Sequence, residues 1–166
     1  TSVNRLSRGI QSFDDEILRF MNRRHNAHEA IDAVERLRRA GYDNISIDII
    51  FGIGGFDDNS LKLTIGRAVE LNVEHISAYH LTYEEGTPLY RRLQAGEVSE
   101  VNEELSLTFF NMLIDALTKA GYQHYEISNF CKPGMHSRHN SSYWQGIPYL
   151  GCGAAAHSFD GTSRQW

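Results

Sequence analysis

The sequence predicts an α/β domain built from repeated βα units, and three observations carry that expectation. Ile45-Ser46-Ile47-Asp48-Ile49-Ile50-Phe51 is apolar on both faces, which suits a parallel strand covered by helices. Strand-like runs lie on either side of it, at Asn4–Gln11 and His75–Leu81. Helical patterns and short turns separate all three runs, the signature of alternating strand and helix.

Taken in order, Leu6 and Ile10 fall on one side of the first run and Arg5, Ser7, Gly9 and Gln11 on the other. That period of two is a strand's. Ser12 stands three residues before Asp15 as an imperfect capping box, and Ile17, Leu18 and Met21 supply the apolar stripe of a short helix. Asn26 and Glu29 repeat the signal before a helix with Ala30, Ile31, Val34 and Leu37 on one face, and Gly41 ends it. After the isoleucine strand, the turn Gly52-Ile53-Gly54-Gly55 leads into a helix over about 61–71, then the strand at 75–81.

Thr82 to Val98, with Gly86, Pro88 and Gly96, reads as an ordered loop. A long helix is expected from about Ser99 to Ala120, with Leu105, Phe109, Met112, Leu113, Ala116 and Leu117 inward. Lys119-Ala120-Gly121-Tyr122 repeats the connection seen at Arg39-Ala40-Gly41-Tyr42, and it leads to a β-like run at Tyr125-Glu126-Ile127. The remainder is rich in Gly, Ser, His and aromatic residues without a clear period.

Composition narrows the function. The 166 residues carry 16 Lys and Arg against 21 Asp and Glu, a net charge of -5 that argues against nucleic acid as a partner. Hydrophobic residues at 41% and charged residues at 22% read as soluble and globular. No apolar run approaches the roughly 20 residues of a membrane helix, and no signal-peptide pattern opens the chain. Peripheral membrane association stays open. The two cysteines, Cys131 and Cys152, exclude a disulfide scaffold and a self-contained iron–sulfur site, and point to a reducing, cytoplasmic compartment. The abrupt start, without a methionine, leads us to expect a piece of a longer protein.

Asp48 is the most informative residue, because a carboxylate inside an isoleucine strand is costly unless it has a partner or faces a polar cavity. Its alternative is a structural acceptor for a neighbouring loop. Gln11 ends its strand, where parallel α/β sheets bind ligands, and its amide suits a carboxylate or a sugar hydroxyl. Arg23 or Arg24 offers a bidentate carboxylate clamp, against the reading of a solvated surface pair. The run Gly52–Gly55 lacks a following Lys and is followed by Asp57 and Asp58, so it reads as a tight turn and not a phosphate cradle. His136, His139 and His157 with the two cysteines lack the ligand spacing of a metal site. With Tyr143, Trp144 and Tyr149 they border either a flat aromatic ligand or simply one another. No catalytic residue is assigned.

Several motifs occur together in a known order. Asn4 to Phe13 (Asn-Arg-Leu-Ser-x-Gly-Ile-Gln-Ser-Phe), Arg23 to Asn26 (Arg-x-His-Asn) and Asn44 to Asp48 (Asn-Ile-Ser-Ile-Asp) come first. His75 to Tyr79, Glu84 to Tyr90, Tyr125 to Phe130, Ser137 to Asn140, Tyr143-Trp144 and Gly151 to Ser158 follow. The sequence resembles the HemW-type radical S-adenosylmethionine family, related to oxygen-independent coproporphyrinogen III oxidase.

The resemblance implies the second half of a partial (β/α)6 TIM-type barrel over 1–98 and the start of a C-terminal α+β extension over 99–166. It implies S-adenosylmethionine held by Gln11, Arg23 and Asp48, with Thr82 near the same ligand. It also implies a 4Fe-4S cluster whose Cys-x-x-x-Cys-x-x-Cys ligands belong to an N-terminal region not found in this sequence. Heme or porphyrin is the implied ligand, with heme-acceptor proteins and an electron donor as partners. The main functional expectation is a heme chaperone. The alternative is an oxidase that decarboxylates coproporphyrinogen propionates by radical chemistry, and this stretch by itself is expected to be inactive. The exposed edge of the first strand is expected to make it self-associate. The sequence departs from the family's Gly-x-Pro-Gly at Gly52–Gly55 and from its Gly-x-Gly-Pro-Gly-Ala-His-Ser at Ala154 and Ala155, and Arg8 stands where the family is usually apolar.

Overall fold

The strands and helices fall close to where patterning puts them, and the order in which they pair decides what the sheet presents. The computed structural model describes residues 3–165; those up to Met135 form one compact unit and those from His136 another. The first unit runs β1 (Leu6–Gln11), α1 (Asp15–Phe20), α2 (Ala27–Arg39), β2 (Ile45–Phe51), α3 (Asp58–Glu70), β3 (His75–His80), α4 (Pro88–Gln94), α5 (Glu103–Lys119), β4 (Gln123–His124) and β5 (Asn129–Cys131). Its sheet has the order β1-β2-β3-β5-β4, with β1, β2 and β3 parallel and β5 antiparallel to both neighbours. The α/β expectation holds, as a mixed sheet.

One face of this sheet is the core. Ile10, Ile45, Ile47, Ile49, Ile76 and Phe130 are fully buried there in one cluster with Val34 of α2, Ala68 of α3 and Leu113 and Leu117 of α5. Alternation therefore sends Ser7, Gly9, Ser46, Asp48, His75, Ser77 and Asn129 to the other face, and the strand registers set Gly9 beside Asp48, Asp48 beside Ser77 and Ser77 beside Asn129. A polar lane thus crosses four strands. Beside it, Ser46 Oγ meets His75 Nδ1 at 2.8 Å and His75 Nε2 meets the Tyr125 hydroxyl at 2.8 Å.

Local signals explain most boundaries. Asn26 and Glu29 form a complete capping box, each side chain accepting from the other's backbone N–H at 2.9 Å. Gly41, at φ 88°, closes α2 in the left-handed region. At α1 the cap is Asp14, not Ser12: the Asp14 carboxylate accepts from the N–H of Glu16 at 2.8 Å, while Ser12 turns to Thr64 at 3.0 Å. The expected loop 82–98 contains α4, started by Thr87, which accepts from the Tyr90 N–H, and by Pro88 in the first turn. Likewise α5 starts at Glu103, capped by Asn102, later than the expected Ser99. The expected β-like run at 125–127 is a connection between β4 and β5, where Glu126 accepts from the N–H of Ser128 at 3.0 Å.

At the other end of the unit, buried Glu74 accepts from Arg38 at 2.9 Å, the Ile45 N–H at 3.0 Å and Lys132 at 3.3 Å, tying α2, β2 and the residue after β5 together. The second unit holds α6 (Arg138–Trp144) and a hairpin of β6 (Ser158–Phe159) and β7 (Arg164–Gln165). The sequence around His136 to His139 shows no helical pattern, yet His139 lies inside that short helix, which Ser137 caps. Ala155, where the family pattern has glycine, keeps a left-handed φ of 59°. Among the described residues no helix is long and apolar enough to cross a membrane.

Candidate functional site

The C-terminal ends of β1, β2 and β3 open on a cleft of about 640 Å³. Gln11 enters it through an unusual backbone: φ is 72°, and the β1–β2 register slips between Gly9 and Gln11. A non-glycine residue held in the left-handed region is strained, and such strain concentrates at functional sites. Here it folds the Gln11 side chain back over Gly9, so that a Cβ on Gly9 would lie 2.7 Å from Gln11 Nε2 and 3.7 Å from Arg23 Nη2. Gly9 is the space in which the amide and the guanidinium meet.

Arg23 reaches that space because the end of α1 is turned tightly. Asn22 takes φ 53°, the Arg23 N–H donates to the Leu18 carbonyl at 2.9 Å, and His25 Nε2 donates to the Ile10 carbonyl at 2.9 Å. Arg24 stays exposed and is not part of the cleft wall.

Asp48, half-buried, sits beside Gly9 on the adjacent strand. Burial pushes its carboxyl above the usual carboxylate range, against hydrogen bonds from Ser77 and Ser7 that pull it down, and the Ser7 hydroxyl donates at 3.4 Å. Among the described residues it has no ion-pair partner. Ile50, two residues on, lines the cleft; Asp48 itself does not. Leu81 lines it as well, and Thr82 is the exposed residue after it. Phe20 of α1 and Pro88, Leu89 and Arg92 of α4 complete the wall.

The glycine turn after β2 is filled by protein groups. A Cβ on Gly52 would lie 2.3 Å from His80 Nε2, and one on Gly54 would lie 1.7 Å from the Ser99 carbonyl oxygen. The turn is therefore tight, with His80 and the Ser99 carbonyl against its glycines. In the second unit the Tyr143 hydroxyl and His139 Nε2 lie 3.2 Å apart, and the Tyr143 ring stands edge-on to Tyr149 at 4.9 Å. Sequence reasoning missed Gly9 and the α4 wall. Gly9 carried a usable signal, since a glycine inside a strand marks close approach; Arg92 carried none.

Residues 1–68 match the model described as the Radical SAM superfamily. Heme chaperone HemW of Bacillus subtilis is 38% identical over 98% of this chain and 43% of its own length, and that of Lactococcus lactis is 36% identical over 96% and 42%. Over nearly its whole length the chain thus resembles proteins of the radical S-adenosylmethionine type. A zebrafish radical S-adenosyl methionine domain-containing protein 1, mitochondrial, is 32% identical over 93% of the chain and 35% of its own length. Coproporphyrinogen III oxidase (HemN) from Escherichia coli superposes with a TM-score of 0.76 at 23% identity, over 96% of this chain and 39% of that one, which shows a shared fold. The chain spans about two fifths of the length of the curated relatives it matches.

The match of residues 1–68 to the Radical SAM superfamily implies S-adenosylmethionine and a 4Fe-4S cluster. The first fits the residues present: a half-buried carboxylate without an ion-pair partner among the described residues, an amide and a guanidinium around one glycine suit hydroxyls and an amino-acid end. The second does not. Among the described residues no three His, Cys, Asp or Glu side chains are grouped to hold a metal, and Cys131 is buried in the first unit while Cys152 is exposed in the second.

Proposed function

We propose that this chain is the S-adenosylmethionine-contacting and heme-handling part of a heme chaperone, a protein that binds heme and passes it to acceptor proteins in the cytoplasm. The observation that carries the reading is the meeting of Gln11 and Arg23 over Gly9, with Asp48 in register beside them. In this reading β1, β2 and β3 are the later strands of a partial (β/α)6 barrel, and the polar lane faces its interior.

Each residue then has a task its chemistry suits. Asp48 accepts hydrogen bonds from ribose hydroxyls, Arg23 and Gln11 orient the amino-acid end, and Thr82 borders the ligand at the end of β3. Bound to a reduced cluster, S-adenosylmethionine supplies one-electron chemistry. The chain's part is to bind, orient and shield. The cluster's ligands lie outside these residues. His139, Tyr143 and Tyr149 in the second unit offer an aromatic border suited to a flat ligand such as heme. The name heme chaperone, borne by relatives 35–38% identical over nearly the whole chain, supports the chaperone over the oxidase.

The test uses the intact full-length protein. Stable heme binding by absorbance titration, with no anaerobic turnover of coproporphyrinogen III in the presence of an electron donor, is expected. Sustained formation of protoporphyrinogen would establish the oxidase instead. Gln11→Ala and Asp48→Ala should each weaken S-adenosylmethionine in calorimetric titration, and unchanged affinity in both would overturn the site.

A further inference from the structure

The cleft is more basic than the proposed cofactor contacts require. Arg19 at the end of α1, Arg23 just beyond it and Arg92 of α4 all line it, and no Asp or Glu does. Arg19 and Arg23 have no ion-pair partner among the described residues. Arg92 is held over the Phe20 ring at 5.0 Å and reaches Glu97 at only 3.4 Å, with both side chains partly exposed. Three guanidiniums around one concave, partly apolar space repel one another and focus a positive potential into it.

From this arrangement we infer that Arg19 and Arg92 form a carboxylate clamp at the cleft, separate from the Gln11–Arg23–Asp48 contacts. The ligand it takes is amphiphilic, with an apolar body against Phe20, Ile50, Leu81 and Leu89 and a carboxylate between the two guanidiniums. Guanidinium forks match carboxylates in geometry, and stacking on Phe20 restrains Arg92 in advance. A merely solvated arginine face would not require three side chains, from α1, the α1–α2 connection and α4, to converge on the same cleft.

The clamp rests on reading this cleft as the ligand site, and the carboxylate it takes is a propionate of a tetrapyrrole, since the amino-acid end of S-adenosylmethionine is given to Gln11 and Arg23. Arg19→Gln and Arg92→Gln, singly and together, are made in the full-length protein, with circular dichroism and thermal melts as folding controls. Coproporphyrin III is titrated against its tetramethyl ester, and S-adenosylmethionine against its decarboxylated analogue. The double variant should lose roughly ten- to hundredfold in affinity for coproporphyrin III while the tetramethyl ester and both S-adenosylmethionine compounds are unchanged. Arg19→Lys should recover part of the loss. Equal weakening of acid and ester, a loss confined to S-adenosylmethionine, or no weakening at all would overturn the clamp. If Gln11→Ala and Asp48→Ala leave S-adenosylmethionine binding intact, the cofactor reading fails while the acid–ester comparison still decides the clamp.

Discussion

Gly9 and Gln11 occupy one space: the Gln11 amide nitrogen stands 2.7 Å from where a Gly9 side chain would begin, on a Gln11 backbone in the left-handed region. Gly9→Ala therefore displaces a flexible side chain and no backbone. We expect affinity for S-adenosylmethionine to fall about two- to tenfold, the worth of one hydrogen bond, with little change in the melting temperature. Calorimetric titration beside a thermal melt checks both; a large loss of stability with intact affinity would contradict the arrangement.

Asp48 should show function and stability opposed. Its folded carboxyl titrates above its unfolded value because of burial. The ionised form is thus disfavoured by folding, a penalty fully present above the folded pKa and relieved as pH falls toward the unfolded value of about 3.9. Asp48→Asn should melt higher than the parent at neutral pH, with the difference vanishing near pH 3, while its ligand affinity drops. An Asn variant that melts lower at neutral pH would show the carboxylate to be a structural brace.

Glu74 has the opposite sign. Burial pushes its carboxyl up, but hydrogen bonds from Arg38, the Ile45 amide and Lys132 outweigh that and hold it below the usual range. Its contribution is present above the unfolded value of about 4.3 and is lost as pH falls through the folded one. Glu74→Gln should cost about 1–3 kcal/mol at pH 7 and progressively less below pH 4, measured by urea unfolding across pH. A cost independent of pH would refute the linkage.

Ala155 keeps φ 59° where a side chain is disfavoured. Ala155→Gly should relieve about 1 kcal/mol of strain. Slower amide exchange in residues 149–159 would report it, and faster exchange would count against it.

Among the described residues strand β1 pairs with β2 alone and lies at the edge of the sheet. The 166-residue chain studied alone should self-associate through that edge. Light scattering over a concentration series checks this, and a monomer at every concentration would refute it.

Much of this was legible in local chemistry. The Asn26–Glu29 box, Gly41 and the isoleucines of β2 each act through neighbours in sequence, so α2 and β2 could be placed from the residues. Asp48 declared itself as a charge among isoleucines. What stayed hidden depends on distant partners. Short α4 and α6 show no periodicity, so their starts at Thr87 and Ser137 were overshadowed by the glycines and polar residues around them. Ser12 could not be told from Asp14 as a cap without knowing that Thr64 competes for its hydroxyl. The basic lining was invisible for the same reason, since Arg19 and Arg92 are 73 positions apart.

The packing of Gly54 on Ser99 has a wider consequence. The Ser99 carbonyl, which also accepts from the Tyr83 hydroxyl at 3.1 Å, closes the excursion from Tyr83 to Ser99 onto the end of β2 like a clasp. Everything between those two points, α4 included, hangs from a fixed base. Residues can be added or exchanged there without disturbing strand register, so this excursion is where descendants of one scaffold, or a protein engineer, would resize the cleft for a different guest.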